Sequence, residues 1–530
     1  MAGSIALVAT LMETLSLETL PKIPDAVTWL EVRGNLHTGV SAARLRARFA
    51  GKLLYTLPSH HSNGHFDSPL ATRHSALIHA ASEYDMVGLE ADCDLSPEVL
   101  SVIPAQKRLL CWRGPSSDLA SLRSEFKRIS AVPAHMYFMT INGSSVMDAV
   151  TPLLLLKELG RKDLIAVCDG KAGFWGRTLA PQFGAPMVFG RLDHQPVGDS
   201  GEPSIQQLME DYGFPAVHPV RELYGIVGNR VFQSPSPRLH NAGYRALNYP
   251  ALFLPFHVES FEDFWRESIE TSALEPLGLA LKGLTIVSPY KEAAFAAAAL
   301  RSPMACRAGA SNIFVRRNGS WEAHTTDPES IAAVAGNGHK PAVSLKAAVI
   351  GCGGAGRAIA ATLQQAGANV TLVNRGKERG ELAVKLLGLP FVPLSDFQAT
   401  HFPLLVNATP IGRDDDAIPF EIDTLSSGTL VVDLVYGARP TPLVSGVIAR
   451  GGAIIDGYDV LLNQVRKQFH MMTGQKMPVA IGRQNVASQA FGNPISRDPE
   501  PQRPSLSRVK EQASAQIEAL LQTRLNIAKA

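Results

Sequence analysis

The sequence predicts an α/β protein with an N-terminal (β/α)8 barrel, a smaller α/β domain after it, and then a Rossmann dinucleotide-binding domain. Three observations predict this. A chain of 530 residues is longer than one ordinary hydrophobic core covers. Up to about residue 215, short apolar runs rich in β-formers alternate with helical segments. Further on, a buried-strand pattern at Lys346–Ile350 leads straight into a glycine turn, a helix and a second strand.

Taken in order, the barrel strands are expected at Ile5–Leu11, Thr28–Val32, Lys52–Leu57 and Met86–Glu90, then Arg108–Trp112, His135–Ile141, Leu164–Cys168 and Met187–Phe189. Ser41–Ala50, Thr72–Ala81 and Asp118–Arg128 read as helices between them. The apolar start, Met1 to Met12, lacks a basic leader and runs into Glu13, so it reads as a first strand and not as a signal peptide. A second domain opens with a strand at Glu222–Gly228, and Ala335–Pro341 reads as a linker. The expected organisation is a barrel at 1–218, a second domain at 222–335, a nucleotide domain at 342–457 and a returning helix at 458–490. A proline-rich linker follows at 493–507, then an amphipathic helical tail at 508–530 that suits packing or self-association.

Composition excludes several classes. A net charge of +2 gives no electrostatic footprint for nucleic acid or a membrane surface. No apolar run approaches the ~18 residues of a membrane-spanning helix. The cysteines, Cys93, Cys111, Cys168, Cys306 and Cys352, show no metal-ligand spacing and are odd in number. They suit a reducing cytoplasm, no disulfide framework and no metal site.

The glycine turn is Gly351-Cys-Gly-Gly-Ala-Gly356, a G-x-G-x-x-G between strand and helix. Gly351 allows the tight turn, Gly353 lets a pyrophosphate approach the backbone, and Gly356 lets helix and strand pack closely. Gly354 and Ala355 complete the turn, and a helix is expected from Arg357 to about Ala366, whose N-terminal N–H groups and dipole attract phosphate. Where a carboxylate would hold a ribose 2′-OH, the chain has Asn374 and Arg375, with Lys377 and Arg379 nearby. Guanidinium groups there pair with a 2′-phosphate, so the expected cofactor is NADP and not NAD.

A dehydrogenase also needs a proton donor beside the carbon that receives hydride. Lys291 closes the run Gly283-Leu-Thr-Ile-Val-Ser-Pro-Tyr-Lys291, and Asp327 closes Ala323-His-Thr-Thr-Asp327. A Lys/Asp pair in a cleft keeps both partners charged and lets the lysine hold a developing alkoxide.

These segments resemble the shikimate dehydrogenase family. Ser234-Pro-Ser-Pro237, within Tyr224–Asn241, resembles the S-x-S-P motif whose two serines bind the substrate carboxylate. Pro289-Tyr-Lys291 resembles the end of N-V-T-x-P-x-K, and Gly309-Ala-Ser-Asn312 resembles G-A-x-N. Thr325-Thr-Asp327 resembles N-T-D, and Asn407-Ala-Thr-Pro-Ile-Gly412 resembles the nicotinamide-side N-A-T-P-x-G loop. Asp433-Leu-Val-Tyr436 with Thr441-Pro-Leu443, then Gly457-Tyr-Asp-Val-Leu-Leu-Asn-Gln464, resemble the closing motifs. The resemblance implies catalytic roles for Lys291 and Asp327 and substrate contacts from Ser234, Ser236, Asn312, Tyr436 and Gln464. It implies cofactor contacts from Asn407, Thr409 and Gly457 in addition to the glycine turn and the basic cluster. One departure concerns the substrate: Thr285-Ile-Val287 stands for N-V-T, so a hydroxyl expected at the substrate is a valine. Ser288 is not expected to replace it, because adjacent strand residues face opposite ways. This opens the choice between shikimate and a relative such as quinate.

The N-terminal half resembles type I 3-dehydroquinate dehydratase. Glu31-Val-Arg33 is similar to its E-x-R, Leu89-Glu90 to its acidic fourth-strand end, and Ala180–Gly184 to the stretch after S-R. Arg177 stands at its substrate-binding arginine. That family needs a Schiff-base lysine on strand six and a histidine after strand five. Here strand six, His135–Ile141, has no lysine, and Cys111-Trp-Arg-Gly114 stands where S-x-H-D is expected. Pro58 replaces the arginine of T-L-R, and the late P-G-Q glutamine is absent. The expectation is a barrel without dehydratase chemistry, kept as a scaffold or dimerisation platform or as a ligand site using Arg33, Glu90 and Arg177. Lys171, past strand seven, and His60 and His61, after strand three, are the relocated alternatives.

The resulting expectation is NADPH-dependent reduction of 3-dehydroshikimate to shikimate. Two alternatives stay open: a bifunctional dehydratase–dehydrogenase, and a non-catalytic NADP- or metabolite-binding regulator.

Overall fold

The structure is a computed structural model that describes residues 3–485 except 12–19, 37–40, 60–68, 117, 194–196, 332–344, 427, 438 and 484. His60, His61, the linkers at 335–341 and 493–507 and the tail at 508–530 therefore lie outside the described residues. The chain divides after Leu281 into two compact units.

In the first unit, eight parallel strands form a near-closed barrel. They are β1 (Ala6–Leu11), β2 (Val27–Arg33), β3 (Lys52–Thr56), β4 (Met86–Glu90), β5 (Arg108–Pro115), β6 (Met136–Asn142), β7 (Leu164–Asp169) and β8 (Met187–Arg191). Their order is β7-β6-β5-β4-β3-β2-β1-β8. All eight expected strands are present, because β-branched and leucine-rich runs buried on both faces have no other stable use in this pattern. Local chemistry starts the helices between them. Ser96, Asp118 and Ser204 each accept a backbone N–H from the first turn of the helix that follows. Gly160 and Gly213 end two of them in the left-handed region. The segment expected to be helical over Ser41–Ala50 is helical only at Ala42–Arg46.

The same unit continues through β9 (Glu222–Gly228), the helix Ser236–Ala246 and β10 (Ala251–His257), with β9 and β10 parallel. Asn241 ties that helix to β10, donating to the Phe253 carbonyl at 3.0 Å and accepting from its N–H at 2.8 Å. The compact unit thus joins the barrel to residues 222–281, a division that composition breaks do not reveal. Its cause is side-chain packing: Trp175, fully buried, meets Phe256 edge-on at 5.7 Å.

The second unit takes in most of β11 (Ala280–Ile286), which pairs antiparallel with β12 (Ile313–Arg317), itself hairpinned to β13 (Ser320–His324). Strand β11 ends at Ile286, and Lys291 opens the helix Lys291–Ala297 instead of closing a strand. Next come β14 (Lys346–Ile350), β15 (Asn369–Asn374), β16 (Phe391–Pro393), β17 (Leu404–Asn407), β18 (Leu430–Asp433) and β19 (Ala453–Ile455). They form a parallel sheet of order β16-β15-β14-β17-β18-β19, the doubly wound arrangement with its switch point between β14 and β17. Alternate residues feed separate cores on the two faces. Val349, Leu372 and Val406 pack with Ile359 and Leu363, while Ile350, Val373 and Leu405 pack with Leu443 and Val447. The returning helix runs Gly457–Thr473, shorter than the expected 458–490, because Gly474 at φ 72° ends it.

Candidate active site

The glycine turn sits at the switch point. Gly351 has φ 108°, which favours glycine, and Gly356 packs so closely that an added Cβ would lie 1.8 Å from the Gly351 carbonyl oxygen. Above Gly353 an added Cβ would meet nothing within 4 Å, so the backbone there is open to approach. The helix Gly354–Gln365 starts at this point, with Ala355 half-buried in its first turn. Asn374, at the end of β15, directs its side chain inward. Its Oδ1 accepts from the Cys352 N–H at 3.2 Å, and its Nδ2 donates to the Gly376 carbonyl at 2.8 Å. Arg375, Lys377 and Arg379 are exposed beyond it, Lys377 facing Glu381 at 3.7 Å. An open glycine turn at a helix N-terminus, with exposed guanidinium groups and no carboxylate at the strand end, fits a dinucleotide bearing a 2′-phosphate.

Asn407 and Thr409 are used within the protein. Asn407, fully buried, donates to Asp433 at 2.9 Å and accepts from the Thr409 hydroxyl at 2.7 Å. Asp433 also accepts from the Thr441 hydroxyl at 2.6 Å. Burial pushes the Asp433 carboxyl upward, against these hydrogen bonds. Gly457 lies against the Val435 carbonyl, where an added Cβ would come within 2.2 Å. Tyr436 is half-buried with its ring 5.8 Å from that of Tyr458.

The second cluster converges on Asp327, which is 2% exposed. Lys291 Nζ reaches its two oxygens at 2.9 and 2.8 Å. Asn312 Nδ2 donates to it at 3.1 Å, Gln464 Nε2 at 3.2 Å and the Thr325 hydroxyl at 3.4 Å. Asn312 is itself locked, since its Oδ1 accepts the Thr326 N–H at 2.8 Å. Helix Gly457–Thr473 adds a brace that sequence reasoning missed: Gln468 donates to the Thr326 hydroxyl at 3.0 Å and accepts from Thr285 at 3.2 Å. Its signal was its position one helical turn after Gln464, on the same face. Arg357 was missed as well. It is 1% exposed, and its guanidinium donates to the carbonyls of Ala308 at 2.6 Å and Cys352 at 3.0 Å and pairs with Glu292 at 2.8 Å. It thereby ties the Gly309–Asn312 loop to the glycine turn. Gly354 lies in the same seam, where an added Cβ would stand 2.7 Å from Ala310 and 3.3 Å from the Lys291 Cβ.

Val287 is half-buried and Ser288 exposed, both past the end of β11. Ser288 lies outside the strand, so strand alternation does not set its direction, and its side chain is exposed.

Ser234 and Ser236 belong to the first unit. Their hydroxyls are 3.1 Å apart, and the Ser234 hydroxyl accepts the Ser236 N–H at 3.2 Å. They lie at the start of the helix Ser236–Ala246, where backbone N–H groups favour an anion.

At the barrel's C-terminal strand ends, Glu31 accepts from Thr10 and Thr56, each at 2.7 Å. Arg33 lies between Glu31 and Glu202, at 3.8 and 3.6 Å. Glu90 accepts the Ser59 N–H at 3.0 Å and faces Arg73 at 3.6 Å. Arg113 and Arg177 both pair with Asp169. Burial holds the Arg177 guanidinium below its ordinary range against the pull of Glu202, and the charges of Arg113 and Arg33 add to the lowering. On β6, Phe138 stacks on Phe189 of β8 at 5.0 Å. Lys171 pairs with the exposed Asp199 at 2.8 Å, and its side chain is 36% exposed.

A doubly wound nucleotide domain whose unit also holds a half-buried lysine paired with a buried aspartate defines a nucleotide-dependent dehydrogenase, here preceded by a barrel. Residues 226–314 match the family model for the shikimate dehydrogenase substrate binding domain, and residues 32–218 match type I 3-dehydroquinase. Residues 347–406 match ketopantoate reductase PanE/ApbA. The chain is 35% identical over 263 residues to the NADP(+) shikimate dehydrogenase of Haloarcula marismortui, covering 49% of this chain and 96% of that protein. It therefore belongs to the shikimate dehydrogenase family. It is also 29% identical over 334 residues to the chloroplastic bifunctional 3-dehydroquinate dehydratase/shikimate dehydrogenase of Arabidopsis thaliana, covering 59% of this chain and 54% of that protein. The match thus spans about half the length of that relative. The dehydroquinate dehydratase and shikimate dehydrogenase structure from S. pombe aligns over 91% of this chain and 98% of its own at 18% identity, with a TM-score of 0.41. No helix among the described residues is long and apolar enough to cross a membrane.

Proposed function

We propose that the dehydrogenase half interconverts 3-dehydroshikimate and shikimate with NADP(H), and that the barrel does not turn over 3-dehydroquinate. The observation that carries the first part is the Lys291–Asp327 pair, with Nζ within 2.9 Å of both carboxylate oxygens. NADPH, when bound, supplies the hydride to the carbonyl carbon. The glycine turn Gly351–Gly356 would hold its pyrophosphate, and Arg375 with Arg379 its 2′-phosphate.

Lys291 Nζ holds its proton at the carbonyl oxygen and delivers it as negative charge develops there. Asp327 aims Nζ and balances its charge. Asn312, Gln464 and Thr325 fix Asp327 in turn, so no reorientation is needed as the proton moves. On the motif resemblance, Ser234 and Ser236 are assigned to the substrate carboxylate, and Tyr436 and Gln464 to ring contacts.

The second part of the proposal is supported by the lack of a lysine on strand six, Met136–Asn142. Its Phe138 stacks on Phe189, and neither a phenyl nor a phenol ring forms an imine. The cysteines among the described residues are all free, which supports a reducing compartment such as the cytoplasm.

The deciding experiment follows NADP reduction with shikimate on wild type and on Lys291→Ala. Turnover that collapses in the variant supports the assignment. Activity with quinate and none with shikimate would transfer the assignment to the relative that Val287 admits.

A further inference from the structure

The segment that carries Ser234 and Ser236 is anchored on both sides by the barrel, within one compact unit. Just before it lies the turn Val231–Gln233, whose Phe232 ring packs 4.9 Å from that of Phe174, a fully buried residue of the barrel helix Phe174–Leu179. The Phe232 ring also stacks parallel on His257, at the end of β10, at 5.6 Å. Just after it, two residues beyond Ser236, Arg238 is 8% exposed. Its Nε donates to Asp211 at 2.6 Å and its Nη2 pairs with Glu210 at 2.8 Å. Both acids belong to the last barrel helix, Ile205–Tyr212. Arg245, near the far end of the serine helix, donates to the carbonyls of Asp211 at 3.3 Å and Glu210 at 3.2 Å.

Each contact restricts a different freedom. The tilted contact of Phe232 with Phe174 sets the entry of the chain into the helix. The fork-shaped guanidinium on adjacent carboxylates fixes rotation about the helix axis, because bidentate pairing tolerates little angular error. Arg245 holds the helix along its length. Between Phe232 and Arg238 the chain has only Gln233 and the Ser-Pro-Ser-Pro segment, and the two prolines remove part of the remaining backbone freedom.

We propose that the barrel serves the dehydrogenase as a positioning scaffold. Phe174, Glu210 and Asp211 hold Phe232 and Arg238, and through them set the spacing and aim of the two serine hydroxyls. The inference rests on the reading of Ser234 and Ser236 as the carboxylate site. It gives a barrel without a strand-six lysine a reason to persist, since hydrogen bonds to a carboxylate weaken steeply with distance and angle. Arg238 and Phe232 are positioning residues that act through the serines.

The test uses the full chain and steady-state kinetics with shikimate and NADP. Asp211→Asn and Arg238→Ala are expected to raise the KM for shikimate about tenfold, with kcat and the KM for NADP within about twofold of wild type. Arg238→Lys, which keeps a cation facing the two acids but loses the fork, recovers only part of the loss. Phe174→Leu raises the same KM more modestly and decides the matter where a charge variant does not fold. Ser236→Ala is the reference. If it raises the shikimate KM while Asp211→Asn and Phe174→Leu do not, the scaffold inference fails and the carboxylate reading stands. If Ser236→Ala leaves that KM unchanged, the carboxylate reading fails and the inference falls with it. A parallel loss in kcat and in both KM values, the mark of a generally loosened fold, also overturns it.

Discussion

The mouth of the barrel and the cluster around Asp327 both gather charged side chains at the ends of strands in α/β scaffolds, yet they organise them differently. In the barrel, Arg113 and Arg177 share Asp169, Arg33 lies between Glu31 and Glu202, and strand six offers no lysine, its Phe138 being stacked on Phe189. Around Asp327 a single lysine meets a single carboxylate, and the neutral groups Asn312, Gln464 and Thr325 hold that carboxylate in place. In the first arrangement each charge mainly neutralises another. In the second, the polar neighbours leave one proton donor aimed and unmatched by competing acids. The difference teaches that a fold and a set of charges do not make a catalytic site; a nucleophile or proton donor with a fixed orientation does.

The comparison can be broken most directly at Lys291. Lys291→Ala is expected to lower kcat/KM for shikimate by about 10²–10⁴-fold with NADP binding retained, measured by NADPH absorbance and by cofactor titration. Retained turnover would remove the distinction drawn between the two clusters. The next effect concerns the cofactor. Arg375→Ala is expected to raise the KM for NADP by about tenfold while leaving the KM for NAD nearly unchanged, because only the 2′-phosphate loses a partner. An equal rise for both cofactors would mean that the arginine acts on the fold.

A smaller effect is expected at Val287. Restoring a hydroxyl with Val287→Thr should lower the KM for shikimate by about two- to tenfold, the range of one net hydrogen bond of roughly 0.5–1.5 kcal/mol. Parallel assays with quinate sharpen the point: a gain for shikimate alone locates the specificity at this position. The smallest expected effect is none. Incubating the chain with 3-dehydroquinate and borohydride should trap no covalent adduct by mass spectrometry, and Lys171→Ala should change nothing, since Lys171 pairs with the exposed Asp199. A trapped adduct lost in that variant would establish the bifunctional reading and place working chemistry in both regions.

Much of the architecture was legible in the chain. The eight barrel strands and the strand–glycine turn–helix unit follow from apolar periodicity and from Gly351 and Gly356, which are local properties. Strand and helix ends were less legible. Lys291 opens a helix, and the returning helix stops at Gly474, because termini depend on caps and packing outside any short window. Within the site, the ordered motifs pointed to Lys291 and Asp327, whereas Arg357 and Gln468 went unnoticed. Buried braces of this kind are chosen by whichever carbonyl or hydroxyl tertiary packing brings near, and no spacing rule encodes that.

The sequence by itself determined the α/β class, the nucleotide turn, the identity of the Lys–Asp pair and the absence of a strand-six lysine in the barrel. Each is a matter of which residue occupies which position along one strand or turn. Only the tertiary structure decided that Asn312, Gln464 and Lys291 meet on one carboxylate, that Phe138 stacks on Phe189, and that the barrel grips Phe232 and Arg238. Those contacts join residues between 15 and 137 positions apart along the chain where the Asp327 site closes. Such pairings are selected by the shape of the packed core, where burial penalises a polar group left without a partner.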